Sequence, residues 1–357
     1  MPSKVYYVKT GEHDPVEVVS KKLGALIEKS GVLDFVKKDD FTAIKIHFGD
    51  EGNTGHIRYE WAREAAKHVL KKTPNAFLVD SNVIYKNSSR TNSVEHLKTA
   101  DAHGFNIRDV GVPIIIADGL RGRNFEEIPV SGKHFSKVKI APDFLDCDSM
   151  LVMSHMTGHI LTGMGCAIKN LGMGCAARRG KYEQHCGTVP EINSDYCVGC
   201  GQCVINCPAG CLTLKNKKIS MAKEACLGCG ECAVVCRTQA INIRWSETLE
   251  NLQEKMVEYA SGAVRALKGR LGYINFLIKI TKDCDCLAKD DPRIVKDLGI
   301  LASSDPVAID KASVDIIKEA AKEDVFRLGY PETDWSVQLK YAAKIGLGSL
   351  DYKLEEI

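Results

Sequence analysis

Eight of the fifteen cysteines stand in a register that metal chemistry recognises. Cys197, Cys200, Cys203 and Cys207 share their spacing with Cys226, Cys229, Cys232 and Cys236, a C-x2-C-x2-C-x3-C run written twice. Such a run holds two [4Fe-4S] cubanes, because a tight loop wraps three thiolates around three corners and the fourth cysteine of each run serves the other cubane. The ligand sets are then Cys197, Cys200, Cys203 and Cys236 for one cluster, and Cys226, Cys229, Cys232 and Cys207 for the second. Pro208 follows Cys207 as in that run, whereas Arg237 stands where a second proline is usual. Four-cysteine zinc centres use two C-x2-C pairs rather than two triplets, so zinc is the poorer fit.

A second concentration of reactive side chains lies just before this run. Ser154 to Cys186 carries His155, His159 and His185, Cys166, Cys175 and Cys186, Lys169 and six glycines. Polar and nucleophilic groups on glycine-rich turns after a strand suit an active-site loop. His155, His159, Lys169 and His185 are the candidate catalytic residues. A further pair, Cys284 and Cys286, flanks Asp285 at the end of an expected strand. Thiolates and imidazoles suit iron or zinc, so Cys166, Cys175, Cys186, Cys284 and Cys286 are candidate ligands of a third metal or cluster. The plainer reading is a solvated loop with hydrogen-bonded histidines and scattered thiols. Lys45 to Asn53, Asp80 to Asn82 and Asp118-Gly119 are candidates for a second wall, although His47 itself reads as a structural histidine. Cys147 and Cys211 read as small buried hydrophobes. Gly163-Met164-Gly165 lacks the strand, GxGxxG and helix frame of a dinucleotide site, which argues against a nicotinamide cofactor.

The elements that must position these residues alternate. Strands are expected at Val5–Val8, Thr42–His47, Ala76–Asp80, Ile114–Ala117, Val138–Ala141, Met150–Met153 and Gly272–Ile280. Helices are expected from Asp14 to Gly31, with Asp14 as N-cap, and at Tyr59–Lys72, Ser93–His103 and Ser246–Lys268, with another opening at Asp305-Pro306. The alternation implies an α/β fold, a mostly parallel sheet domain carrying an inserted two-[4Fe-4S] bacterial ferredoxin-like module. Residues 1–186 and 245–357 together form the α/β domain, and 187–244 the insertion. With 357 residues, 45% hydrophobic and 26% charged, the chain has the make-up of a soluble protein. Lysine and arginine number 48 against 46 acidic residues, which gives no electrostatic case for nucleic acid or a membrane surface. No apolar run approaches the length of a membrane span. The cysteine count without a secretory signal points to a reducing cytoplasm, and low-potential clusters to an oxygen-avoiding cell.

On Lys45–Asn53, Asp80–Tyr85, Ile116–Gly119, Ser154-His155, Gly158-His159, Lys169–Cys175, Gln184-His185, Asp283–Cys286 and Leu301–Asp310, the chain resembles the ferredoxin-containing proteins of uncharacterised domain 362. The resemblance covers nearly the whole chain and implies iron-sulfur binding with a redox function, without a substrate. Met156-Thr157 stand where that family usually has Phe-Lys, Met164 and Cys166 where it has Phe and Gly, and Cys186 where Ser is common. The expectation is an iron-sulfur electron-transfer protein, an oxidoreductase in which two [4Fe-4S] clusters relay electrons to a Cys/His-lined site. The alternatives are a pure electron carrier for a redox partner protein, and a non-redox binding module with structural clusters.

Overall fold

The computed structural model describes residues 2–84, 88–186, 189–207, 209–226, 230–242 and 247–357. Tyr85, Pro208, Cys229 and the expected boundaries at 187 and 244–246 lie outside them. Strands β1 (Ser3–Lys9), β2 (Thr42–Lys45), β3 (Ala76–Asp80), β4 (Ile114–Ile116), β5 (Ser149–His155), β6 (Leu271–Leu277), β7 (Gly299–Ser303) and β8 (Tyr352–Glu356) form one sheet, in the order β8-β1-β7-β6-β5-β2-β3-β4. Only β7 runs against its neighbours; the other ladders are parallel. The fold is mixed α/β with a large, mostly parallel central sheet.

The central strands show why. Ala43-Ile44, Leu78-Val79 and Met150 to Met153 are fully buried without alternation, as strands covered on both faces must be. Alternate residues serve different cores. Ala43, Val79, Met150 and Val152 pack on one side, and Ile44, Leu78, Leu151 and Met153 on the other. Helices α1 (Val16–Ser30) and α2 (Tyr59–Leu70) cover the second face through Leu23, Leu26, Ala62 and Val69. α3 (Ser93–Ala102) adds Ala100 there. The first face is covered by α4 (Ala167–Gly172), α6 (Leu249–Ala266) and α7 (Pro306–Ala321), and α5 (Arg178–His185) stands beside α6.

The differences from the sequence reading are local. Asp14 does not cap α1: its carboxylate accepts from Gly11 N–H and pairs with Lys22, and Pro15 takes the cap position. Lys137–Ile140 leaves the sheet for a hairpin with Glu126–Pro129, because only its alternate residues Val138 and Ile140 are apolar and they pack on α6. β7 and the exposed edge strand β8 close the sheet through contacts distant in sequence. Between α5 and α6 the chain leaves the sheet. It makes two short ladders, Glu191–Ile192 with Ile241–Asn242 and Leu212–Lys215 with Lys218–Met221, and helices Gln202–Ile205 and Glu231–Val235. These elements share a small core of their own. No described helix is long and apolar enough to cross a membrane.

Candidate functional site

Because β2, β3, β5 and β6 are mutually parallel, their C-terminal ends meet at one edge, where α/β proteins assemble their sites. A cavity of about 100 Å³ lies there. Its wall takes Lys45 from β2, Asp80 from β3, His155 from β5, Lys169 and Asn170 from α4, His185 from α5 and Cys284 to Cys286 from the loop after β6. The volume is below that of pockets for drug-sized ligands, roughly 300–1,000 Å³, and suits a small molecule or a few waters.

Lys45 anchors the inner wall. Its ammonium donates to Asp80 Oδ1 at 2.9 Å and Asn170 Oδ1 at 2.7 Å. Asn170 donates in turn to the Met153 carbonyl and Ser154 Oγ, tying α4 to β5. Burial opposes the charge on Asp80, but Lys45 and His96 beside it hold the carboxyl well below the usual range. At the far corner Lys181 donates to Ser81 Oγ, Asn82 O and Ala176 O at 2.6, 2.8 and 2.8 Å. Burial brings its pKa down to about 8.

The imidazoles face the opposite wall. His155 Nε2 donates to the Ile278 carbonyl at 2.8 Å, and its Nδ1 faces Asp285 Oδ2 at 3.4 Å. His159 Nδ1 accepts the amides of Leu161 and Thr162, each at 3.2 Å, which leaves Nε2–H for Cys286. His47 Nδ1 accepts Gly49 N–H, and its buried Nε2 has no hydrogen-bond partner. Burial pushes His47 down to about 4 and His185 to about 3, so both are neutral at pH 7. Burial works against Asp285 as well, yet His155 and Lys169 beside it hold its carboxyl far below the usual range.

Cys284 and Cys286 sit on a turn closed by Leu287 N–H to Cys284 O at 3.1 Å. Lys169 Nζ donates to Cys284 Sγ at 3.2 Å, and the Cys286 amide donates to the same sulfur at 3.3 Å. The hydrogen bond from Cys284 pulls Cys286 well below the thiol range, against burial, and Lys169 and His159 assist. Cys284 is pushed up correspondingly.

In the segment between α5 and α6, Cys197, Cys200, Cys203 and Cys236 line one small cavity. The donor chemistry of this lining, four cysteine thiols, is that of a group with four thiolate corners. Cys207, Cys226 and Cys232 belong to the adjoining core, and Cys229 lies outside the described residues. Cys211 also packs there, its sulfur 3.4 Å from Cys207 Sγ.

All four candidate catalytic residues, His155, His159, Lys169 and His185, thus line one cavity, with Cys166, Cys284 and Cys286. Cys175 and Cys186 do not line it. Cys175 is buried near Cys147 and Lys45, and Cys186 packs among the cysteines of the small core. Among the described residues no three His, Cys, Asp or Glu side chains converge as a metal would hold them. His47 joins the cavity rather than serving structure alone. Arg90 was not legible in the sequence. It is buried, reaches Asp50 at 3.4 Å and the Cys286 carbonyl at 3.2 Å, and comes from a polar loop without periodicity. Asp285 had one signal, its place between two cysteines.

A family model described as a domain of unknown function, DUF362, matches residues 42–315. The chain belongs to that family. No curated protein matches the sequence. Among solved structures, a protein from Thermotoga maritima is similar at 10% identity and a TM-score of 0.46, over 88% of this chain and 60% of that one. The lactate racemase apoprotein from Thermoanaerobacterium thermosaccharolyticum is similar at 12% identity and a TM-score of 0.40, over 77% of this chain and 50% of that one. This DUF362 chain therefore spans between half and two thirds of the length of either protein.

Proposed function

We propose that this DUF362 protein is an iron-sulfur oxidoreductase whose reaction site is the cavity at the edge of the sheet. The observation that carries the reading is α5. Its Tyr182 is fully buried in the small core beside Cys186 and Cys232, while His185, three residues on, lines the cavity. His185 and Cys186 are consecutive, about 3.8 Å apart at Cα, so one residue step separates the cavity from the cysteine core.

Cys197, Cys200, Cys203 and Cys236 would hold one [4Fe-4S] cluster, and Cys226, Cys229, Cys232 and Cys207 the second. Bound clusters supply single electrons at potentials within roughly −700 to +450 mV, set by hydrogen bonds and exposure. The chain's own residues do the rest. Lys45, Asp80 and Asn170 fix the floor, neutral His47 offers its buried Nε2 to a bound molecule, neutral His185 lines the wall, and Lys169 compensates negative charge at the Cys284/Cys286 pair. A reducing cytoplasm suits the fifteen cysteines.

The carrier reading has one observation in its favour, a cleft where Arg121, Arg123 and Arg237 surround Cys236 and would meet an acidic redox partner. Anaerobic iron and sulfide analysis tests the proposal, with about eight irons per chain expected from two cubanes. EPR of the dithionite-reduced protein should then show two interacting reduced centres. His185→Ala should keep the iron and slow reoxidation by small-molecule acceptors; unchanged reoxidation would favour the carrier, and an iron-free protein would sink both.

A further inference from the structure

The two thiols of the loop after β6 stand between two spaces. On the inner side is the cavity already described. On the outer side is a cleft of about 240 Å³ where Ile160, Leu161 and Leu287, with His159 and Asp283, surround the two thiols. Ile160 is 58% exposed and Leu287 38%, so this cleft opens to solvent with an apolar rim. Cys286 is partly exposed and Cys284 is buried behind it. A thiol at the surface with a second behind it is the arrangement of an attacking and a resolving cysteine.

We propose that Cys284 and Cys286 form a dithiol–disulfide couple that exchanges with a low-molecular-weight disulfide entering through the outer cleft. This deepens the oxidoreductase reading by giving the same site a substrate class, and it rests on that reading only for the physiological source of electrons. Three features of the geometry support it. The two cysteines share one tight turn, in which the Cys286 amide lies 3.3 Å from Cys284 Sγ, so the two side chains start from adjoining positions on one loop. Lys169 Nζ, 3.2 Å from Cys284 Sγ, compensates the negative charge that a reduced pair carries. His159 Nε2, freed by the two amides on its other nitrogen, faces Cys286 and can assist a leaving thiolate.

The exchange balances in two displacements. The Cys286 thiolate attacks one sulfur of the incoming disulfide, its S–S bond breaks, and one half leaves as thiolate while the other stays bound to Cys286. Cys284 then gives up its proton and attacks Cys286 Sγ. The Cys286–substrate bond breaks, the second half leaves carrying that proton, and the Cys284–Cys286 disulfide remains. Two electrons have passed from the pair to the substrate. Return to the reduced pair takes two electrons and one proton, which a small dithiol such as dithiothreitol supplies in vitro.

The test needs neither an identified substrate nor turnover. The full-length protein is reduced, freed of reductant anaerobically, exposed to a slight excess of bis(2-hydroxyethyl) disulfide, alkylated and digested with trypsin. Peptide Asp283–Lys289 contains these two cysteines and no other. In the wild type it should lose two hydrogens and resist alkylation, and dithiothreitol should restore both sites. Cys284→Ser should trap half of the probe on Cys286. Free thiols at both positions after the probe, or zinc or iron that leaves on Cys284→Ser, would overturn the inference. Iron and sulfide content on the same sample judges the cluster reading separately.

Discussion

Replacing Lys45 by Met asks whether the inner wall of the cavity is held by a buried ion pair. Lys45 and Asp80 side chains are 1% and 3% exposed and 2.9 Å apart. Removing one member strands the other charge away from water, at a cost of about 3–5 kcal/mol. In Lys45→Met the stranded carboxylate keeps His96 at 3.6 Å, which places the expected loss near the lower end. In Asp80→Asn the stranded ammonium keeps only neutral acceptors, Asn170 among them, which places it near the upper end. An unfolding entropy of about 2.1 cal/mol/K per residue makes the melting shift small for a chain this long, about 4–7 °C, so urea unfolding is the better assay. The double variant strands no charge and should cost less than the two single losses together, by about 2 kcal/mol or more. Strictly additive losses, or a single loss under about 1 kcal/mol, would refute the reasoning.

Three further outcomes are expected. A Cβ at Gly158 would overlap the Lys282 carbonyl oxygen, a backbone atom that cannot swing aside; Gly158→Ala should therefore cost about 1–3 kcal/mol in urea unfolding and change the alkylation rate of Cys286, which His159 faces. His47 is held neutral when folded, with its pKa down to about 4 from an ordinary 6.5. The unfolded chain then binds the extra proton first, so the stability His47 contributes is complete above pH 6.5 and is lost as pH falls toward 4. Denaturant titrations across that window should show His47→Gln less acid-sensitive than wild type by about 3 kcal/mol. Finally, Cys211→Ala should leave the iron content unchanged while Cys207→Ala lowers it by about half, measured on anaerobically prepared protein.

The sequence by itself determined the elements whose signals are local. Ala76–Asp80 was legible as a strand because the apolar run Ala76–Val79 leads into it without a break, and the Asp305-Pro306 opening of α7 because an N-cap carboxylate before an N1 proline satisfies amides whatever lies around it. The spacing of the cysteines and the density of histidines and thiols in 154–186 singled out the cavity's main residues before their neighbours were known. Tertiary structure decided what depends on pairing across the chain. That β7 runs antiparallel, that Lys137–Ile140 leaves the sheet, and that Cys175 and Cys186 turn away from Cys284 follow from packing between segments far apart in sequence. Arg90 shows the limit most plainly. Nothing beside it in the chain marks it, and its guanidinium matters only because folding buries it between Asp50 and the Cys286 carbonyl, where an unpaired charge could not stay.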